Sequence, residues 1–285
     1  TPIFISKWRC LICSNKTANS FLSFFGLKPC FDFSKIAAVK NMLDYQIQES
    51  DIIFLDNHLL IVRKPVGLLA QTDKDGNFSI EDAAQAWLKH KFGKPGNVFA
   101  FVAHRLDRPV GGLVIIARTS KALSRMQALF ANRQIKKVYL AIVNGSPETQ
   151  KHLRHWIKKN EEKNRVFTYT YERGDAKQAD LKYFHVATQN NLKLMMVRLF
   201  TGRHHQIRAQ LGLEKLPLIG DLKYGDKSAL GNCPFLYSYA VEFEHPVTKQ
   251  LLRIHAPYPD FGLWSDFSPP EENVLQLAFN AENLA

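Results

Sequence analysis

Between Asp51 and Pro259 short apolar runs follow one another closely, each cut off by a turn signal, and few segments keep a helical period. That rhythm is the strongest constraint on the fold. "IIFLDNHLLIVRKP" holds two β-rich runs around Asp56-Asn57-His58, which is a hairpin signature. "GGLVIIART" is an unbroken apolar run, as a buried strand requires. "KKVYLAIVNG" alternates, so Val138, Leu140 and Ile142 share one face of a strand and Tyr139 lies on the other. "ADLKYFHVATQNNLKLMMVRLF" reads as two strands joined at Gln189-Asn190-Asn191, and "YAVEFEHPVTKQLLRIHAPYP" as a closing hairpin. The polar stretch from Ser146 to Lys177 reads as loop and ribbon, with "KKNEEKN" a solvated turn.

Helices interrupt this pattern. In "SIEDAAQAWLKHKFG", Ser79 is an N-cap, Glu81 and Asp82 suit the first turn, and Gly93 ends the helix. In "SKALSRMQALFANRQ", Leu123, Met126, Leu129 and Phe130 recur at helical spacing. A shorter helix follows the turn "TGRHH". The expected architecture is therefore α+β: a mixed α/β domain on one large, mostly antiparallel central sheet with flanking helices.

Residues 44–262 carry the pattern, and 263–285 are expected to be a C-terminal tail. Residues 1–43 are rich in Ser, Phe and Lys and show no period. They are expected to be an extension outside the domain, disordered or not native to it, with an organelle-targeting segment as the alternative. Otherwise a cytoplasmic location is expected. The four cysteines, Cys10, Cys13, Cys30 and Cys233, are too few for a disulfide framework in a chain this long. Cys10 and Cys13 have metal-ligand spacing but no second pair, so reduced thiols are expected. No apolar run approaches the roughly 18 residues of a membrane span, so no membrane partner is expected. Lys and Arg number 38 against 26 Asp and Glu, leaving a charge of +12 that suits a polyanionic partner such as nucleic acid.

Chemistry concentrates in "VAHRLDRPVGG", Val102 to Gly112. A polar turn between two strands would account for it alone. However, Asp107 sits at the end of a loop before an apolar strand, where a scaffold can hold a carboxylate at a cleft. Arg105 and Arg108 beside it favour the ionised form, available as a nucleophile or charge stabiliser. Tyr139, the lone large polar residue of its strand, the basic cluster Arg203, His204, His205 and Arg208, and Lys64 before Pro65 are the candidate partners. Adjacent histidines diverge on most backbones, and no His-x-x-x-His pairing with a carboxylate lies nearby, so no metal site is expected. Dinucleotide, phosphate-loop and serine-hydrolase motifs are absent. A hydrolase using Asp107 lacks a second suitably placed carboxylate.

In four ordered blocks the chain resembles the RluA-type RNA pseudouridine synthases. These are "KPVGLLAQ", "HRLDRPVGGLVIIAR", "KKVYLAIV" and "LFTGRHHQIRAQL…PLIGDLKYG". The resemblance covers about Asp51 to Pro259 and implies the catalytic fold of that family. It further implies isomerisation of specific uridines of structured RNA, ribosomal or transfer, by a monomer without cofactor. Asp107 matches the catalytic aspartate, Tyr139 the tyrosine that packs on the base and is implicated in proton removal, and Arg208 the arginine paired with the aspartate. Arg105 matches the residue that displaces the target nucleotide, and Arg203 and Lys64 fall in motif positions near the RNA. Val110-Gly111-Gly112 stands where the family commonly has Thr-Ser-Gly, and Tyr237 where it often has His; both touch loop shape more than chemistry. A non-catalytic RNA-binding or ribosome-assembly protein on the same fold is the alternative.

Such chemistry suits these residue types. Breaking a glycosidic bond and rejoining the base through C5 needs no redox step, so no cofactor is expected. A short, fixed carboxylate can stabilise charge at C1′. A forked guanidinium keeps that carboxylate ionised with a geometry Lys cannot copy. Extruding a base costs a few kcal/mol, and an inserted side chain can fill the gap.

Overall fold

The computed structural model describes residues 45–225 and 233–283. The expectations for the N-terminal extension and for Cys10, Cys13 and Cys30 fall outside the described residues. Eleven strands form one sheet: β1 (Ile52–Leu55), β2 (Leu59–Lys64), β3 (Phe101–Val102), β4 (Gly111–Ala117), β5 (Lys136–Val143), β6 (Gln150–Asn160), β7 (Arg165–Tyr169), β8 (Lys177–Gln189), β9 (Leu192–Leu199), β10 (Leu236–Glu244) and β11 (Leu251–His255). Their order is β1-β2-β4-β10-β5-β9-β8-β6-β7, with β3 beside β4 and β11 beside β10. Every pairing is antiparallel except β4 with β10, as the closely spaced runs led one to expect.

Local sequence explains the elements. Asn190 and Asn191 take left-handed backbone, with φ of 49° and 64°, which gives the two-residue turn that matches strand twist between β8 and β9. Helix α1 (Ile80–Lys91) begins with a reciprocal capping box between Ser79 and Asp82. It ends where Phe92 leads into Gly93 at φ 58°. Helix α2 (Ser120–Ala131) is capped by Thr119, whose side chain accepts from Ala122 N. The stretch from Ser146 to Lys177 is mostly ribbon, and the turn in "KKNEEKN" is confined to the residues between β6 and β7.

The sheet separates two apolar layers. On one side Tyr139, Ala141 and Val143 of β5 pack with Ile80, Ala84 and Leu88 of α1, and with Ile207 and Leu211 of helix α3 (Gln206–Leu213). On the other, Val138, Leu140 and Ile142 meet Met126 of α2 and Leu275, Ala278 and Phe279 of helix α4 (Glu272–Asn280). Each fully buried aliphatic or aromatic chain contributes on the order of 2 kcal/mol. The last of these contacts corrects the expected C-terminal tail. Trp264, Leu275 and Phe279 are buried in the second layer, so the domain runs through α4 because the outer face of the sheet needs this cover.

One glycine fixes how the centre closes. Gly112 has φ +108°, and a Cβ there would lie 2.2 Å from the carbonyl oxygen of Ser238. Only glycine lets β10 run parallel against the start of β4. On its other edge β10 pairs with β5, where Ser238 stands opposite Tyr139.

Candidate active site

Asp107 lies in the loop between β3 and β4, and that loop is stitched to the turn after β2. Gly67 N donates to Arg108 O at 2.9 Å, and Arg108 Nε returns a bond to Gly67 O at 2.9 Å. Val110 N closes on Asp107 O at 2.9 Å. Beneath them Lys64 Nζ donates to Pro65 O (2.9 Å), Leu68 O (2.8 Å) and Arg108 O (3.3 Å). Lys64 is 0% exposed, and burial lowers its ammonium to about 7 against the opposing pull of Asp107. This corrects the expectation that Lys64 touches RNA. Its three donors are spent on carbonyl oxygens, and it anchors the backbone of the Asp107 loop from inside.

The second half of the site comes from the turn before α3. Gln206 is buried; its Oε1 accepts from Thr201 Oγ1 at 2.7 Å and from Arg203 N at 3.0 Å, and its Nε2 donates to Asp180 O at 3.0 Å. One amide thus closes the turn, and His205 at φ 51° steps the chain into the helix. Arg208 then projects from the first turn. Its Nε and Nη2 fork onto Asp221 at 2.7 and 2.9 Å, and Nη1 donates to Asp107 Oδ2 at 3.2 Å. Burial opposes the guanidinium charge, but the two carboxylates outweigh it and hold the Arg208 pKa above its ordinary value. The result is one buried cation shared by two acids, with Asp107 the more open of the pair.

His205 completes the Asp107 surround. Tyr224 OH accepts from Val166 N at 3.0 Å and stands 2.7 Å from His205 Nδ1, so it donates there and leaves the ring proton on Nε2. That nitrogen faces Asp107 Oδ2 at 3.5 Å. Burial depresses His205 to about 4, so it is neutral at neutral pH. Tyr139 is 8% exposed on the same face of β5. Burial, then the Asp107 charge, pushes its phenol well above the ordinary range, so it rests protonated.

These groups border a cleft of about 1010 Å³. Asp107, Tyr139, Arg208, Arg105 and Arg203 all line it, while Lys64 lies behind its wall. Arg105 is exposed at the mouth, and Arg203 is half-buried with Nε donating to Gln178 O at 3.1 Å. Sequence reasoning missed Asp221, although a lone acid in "PLIGDLKYG" was a usable signal, and it missed Lys137 and Arg133, which also line the cleft. Asp107, His204 and His205 bring ligand atoms within 4.8 Å of one another, a donor set suited to a divalent cation. In this structure Arg208 Nη1 donates to Asp107 Oδ2 and Tyr224 OH bonds His205 Nδ1, while His205 Nε2 faces the Asp107 carboxylate.

The fold is a large, mostly antiparallel sheet, and its cleft sets a carboxylate against a guanidinium among further basic side chains. The family description "RNA pseudouridylate synthase" matches residues 58–212. The chain is 31% identical over 214 residues to the "Uncharacterized RNA pseudouridine synthase YhcT" of Bacillus subtilis, covering 74% of this chain and 69% of that one. It is 31% identical over 233 residues to the "Ribosomal large subunit pseudouridine synthase D" of Zymomonas mobilis, covering 80% and 71%. The fold matches "Human RNA Pseudouridylate Synthase Domain Containing 1" with a TM-score of 0.64 at 18% identity, over 85% of this chain and all of that one. The chain belongs to the RNA pseudouridylate synthase family, of the RluA type, and is an RNA pseudouridine synthase that isomerises uridine in RNA. Among the described residues no helix is long and apolar enough to cross a membrane.

Proposed function

We propose that Asp107 is the nucleophile or charge stabiliser of this isomerisation, and that the substrate is large-subunit ribosomal RNA. The observation that carries the first part is the shared guanidinium. Arg208 is fixed by Asp221 and offers its remaining Nη1 to Asp107, so the acid is held in place with a cation beside it. A carboxylate positioned in this way needs no reorganisation as charge develops at C1′. His205 is neutral and its Nε2 stands 3.5 Å from the same carboxylate oxygen, so it adds no full charge beside Asp107.

Tyr139 enters as a neutral phenol, and we assign it the packing of the detached base within the cleft. Arg105, exposed at the mouth, takes the place vacated by the extruded nucleotide. Support for a ribosomal target comes from relatives named as ribosomal large subunit pseudouridine synthases C and D. The test is tritium release from C5-labelled uridine in ribosomal and transfer RNA, comparing the native chain with Asp107→Asn. Release from ribosomal RNA by the native chain alone is expected. Equal release by Asp107→Asn would remove Asp107 from the chemistry, and release only from transfer RNA would move the substrate.

A further inference from the structure

One wall of the cleft carries cations that the reaction at Asp107 does not use. Lys137 lines the cleft from the start of β5, on the same face as Tyr139. Its Nζ lies 5.9 Å from the Phe130 ring centroid and presses on Gly202, where a Cβ would come within 2.9 Å of it. Gly202 is followed by Arg203, whose positive charge is opposed by Arg133 close by. Arg133 follows α2, is exposed, and lines the same cleft. Lys137, Arg133 and Arg203 therefore converge around Phe130 and Gly202.

Among the described residues neither the Lys137 ammonium nor the Arg133 guanidinium has a hydrogen-bond acceptor or ion-pair partner. The acid whose charge reaches Arg203 is Asp180, which is 0% exposed and already holds Arg154 Nε at 2.7 Å and Gln178 Nε2 at 2.8 Å. His104, also on this wall, is no counter-charge: burial and then the Lys137 ammonium lower it to about 3, so it is neutral. Three like charges in a concavity repel one another and focus a positive potential into it, an arrangement that an incoming anion relieves.

We infer that Lys137, Arg133 and Arg203 form a seat for a backbone phosphate of the RNA, flanking the uridine that enters the Asp107 cleft. This rests on the reading of that cleft as the uridine site. The seat is sequence-independent, because a phosphodiester carries no base information, and it sets how far the strand travels into the cleft.

The test uses the full chain with Asp107→Asn throughout, so that binding is read without turnover. Anisotropy of a fluorescein-labelled RNA stem-loop is followed from about 50 to about 200 mM KCl. Adding Lys137→Gln or the exposed Arg133→Gln is expected to lower the slope of log K against log salt by about 1, and affinity at the low-salt end by about tenfold. Lys137→Arg restores most of the slope. Lys121→Gln, an exposed change on α2 that does not line the cleft, leaves it unchanged. An unchanged slope in Arg133→Gln and in a Lys137→Gln chain that melts normally would overturn the seat. So would an equal fall in Lys121→Gln, which would mean diffuse attraction. Failure of the parent chain to bind RNA in a salt-dependent way would instead sink the uridine reading on which the seat rests.

Discussion

The two walls of the cleft solve opposite electrostatic problems. On one, Arg208 is enclosed between Asp107 and Asp221, each of its three guanidinium nitrogens donates to a carboxylate, and the acids outweigh burial in holding the cation. On the other, Lys137 and Arg133 have no acid partner among the described residues, and Arg203 lies where it feels Arg133. Matched charge holds side chains still, which is what a reacting carboxylate needs. Unmatched charge leaves the cleft waiting for an anion, which is what a substrate with a phosphate backbone supplies. On the roles proposed above, the same cleft pre-organises its chemistry from within and completes its binding surface from outside.

The comparison breaks most sharply at Asp107. Asp107→Asn is expected to cut tritium release by at least about a thousandfold while RNA binding persists, measured by release and anisotropy on one preparation. If binding collapses instead, the matched wall is a docking surface and the contrast fails. Arg208→Lys keeps a charge but loses the fork, so turnover should fall about a hundredfold; near-native turnover would show that geometry at this position is unimportant. Asp221→Asn leaves Arg208 with Asp107 alone. Breaking a buried pair costs about 3 kcal/mol, so melting temperature and turnover should fall together. A lower melting temperature with native turnover would make Asp221 a purely structural partner.

The smallest effect sharpens the unmatched wall. His104 is held at about 3 against an ordinary value of 6.5, first by burial and then by the Lys137 charge. Between those values the unfolded chain binds a proton that the folded chain refuses. Stability from this histidine is therefore present above pH 6.5 and lost as pH falls toward 3, by up to about tenfold in the folding constant per pH unit. Urea midpoints at about pH 7 and about pH 5 should differ less in His104→Gln than in the native chain. The same loss in both chains would exclude His104 as the titrating group.

Much of this is legible in the sequence alone. The alternation in β5 puts Tyr139 on the face opposite Val138 and Leu140, because strand side chains alternate by covalent geometry. Ser79 and Gly93 bracket α1, and the Asn190-Asn191 pair turns the β8–β9 hairpin, because caps and tight turns depend on neighbouring residues alone. What was misread shares a different cause. Lys64 was expected to meet RNA, yet it is buried under a carbonyl 44 residues away. The tail was expected to lie outside the domain, yet α4 closes the second apolar layer. A charged or short amphipathic segment does not declare which surface will cover it.

The sequence by itself determined the elements, their faces, the basic balance and the placement of Asp107 before an apolar strand. Tertiary structure alone decided which charges are matched. Asp107 and Arg208 are 101 positions apart, and they meet because β4, β10, β5 and β9 lie side by side, a packing that Gly112 permits at β4 and β10. Ion pairing is a matter of a few ångströms, and sequence separation carries no such distance. Whether a cation ends beside an acid, as Arg208 does, or without one, as Lys137 does, is settled only when the sheet closes.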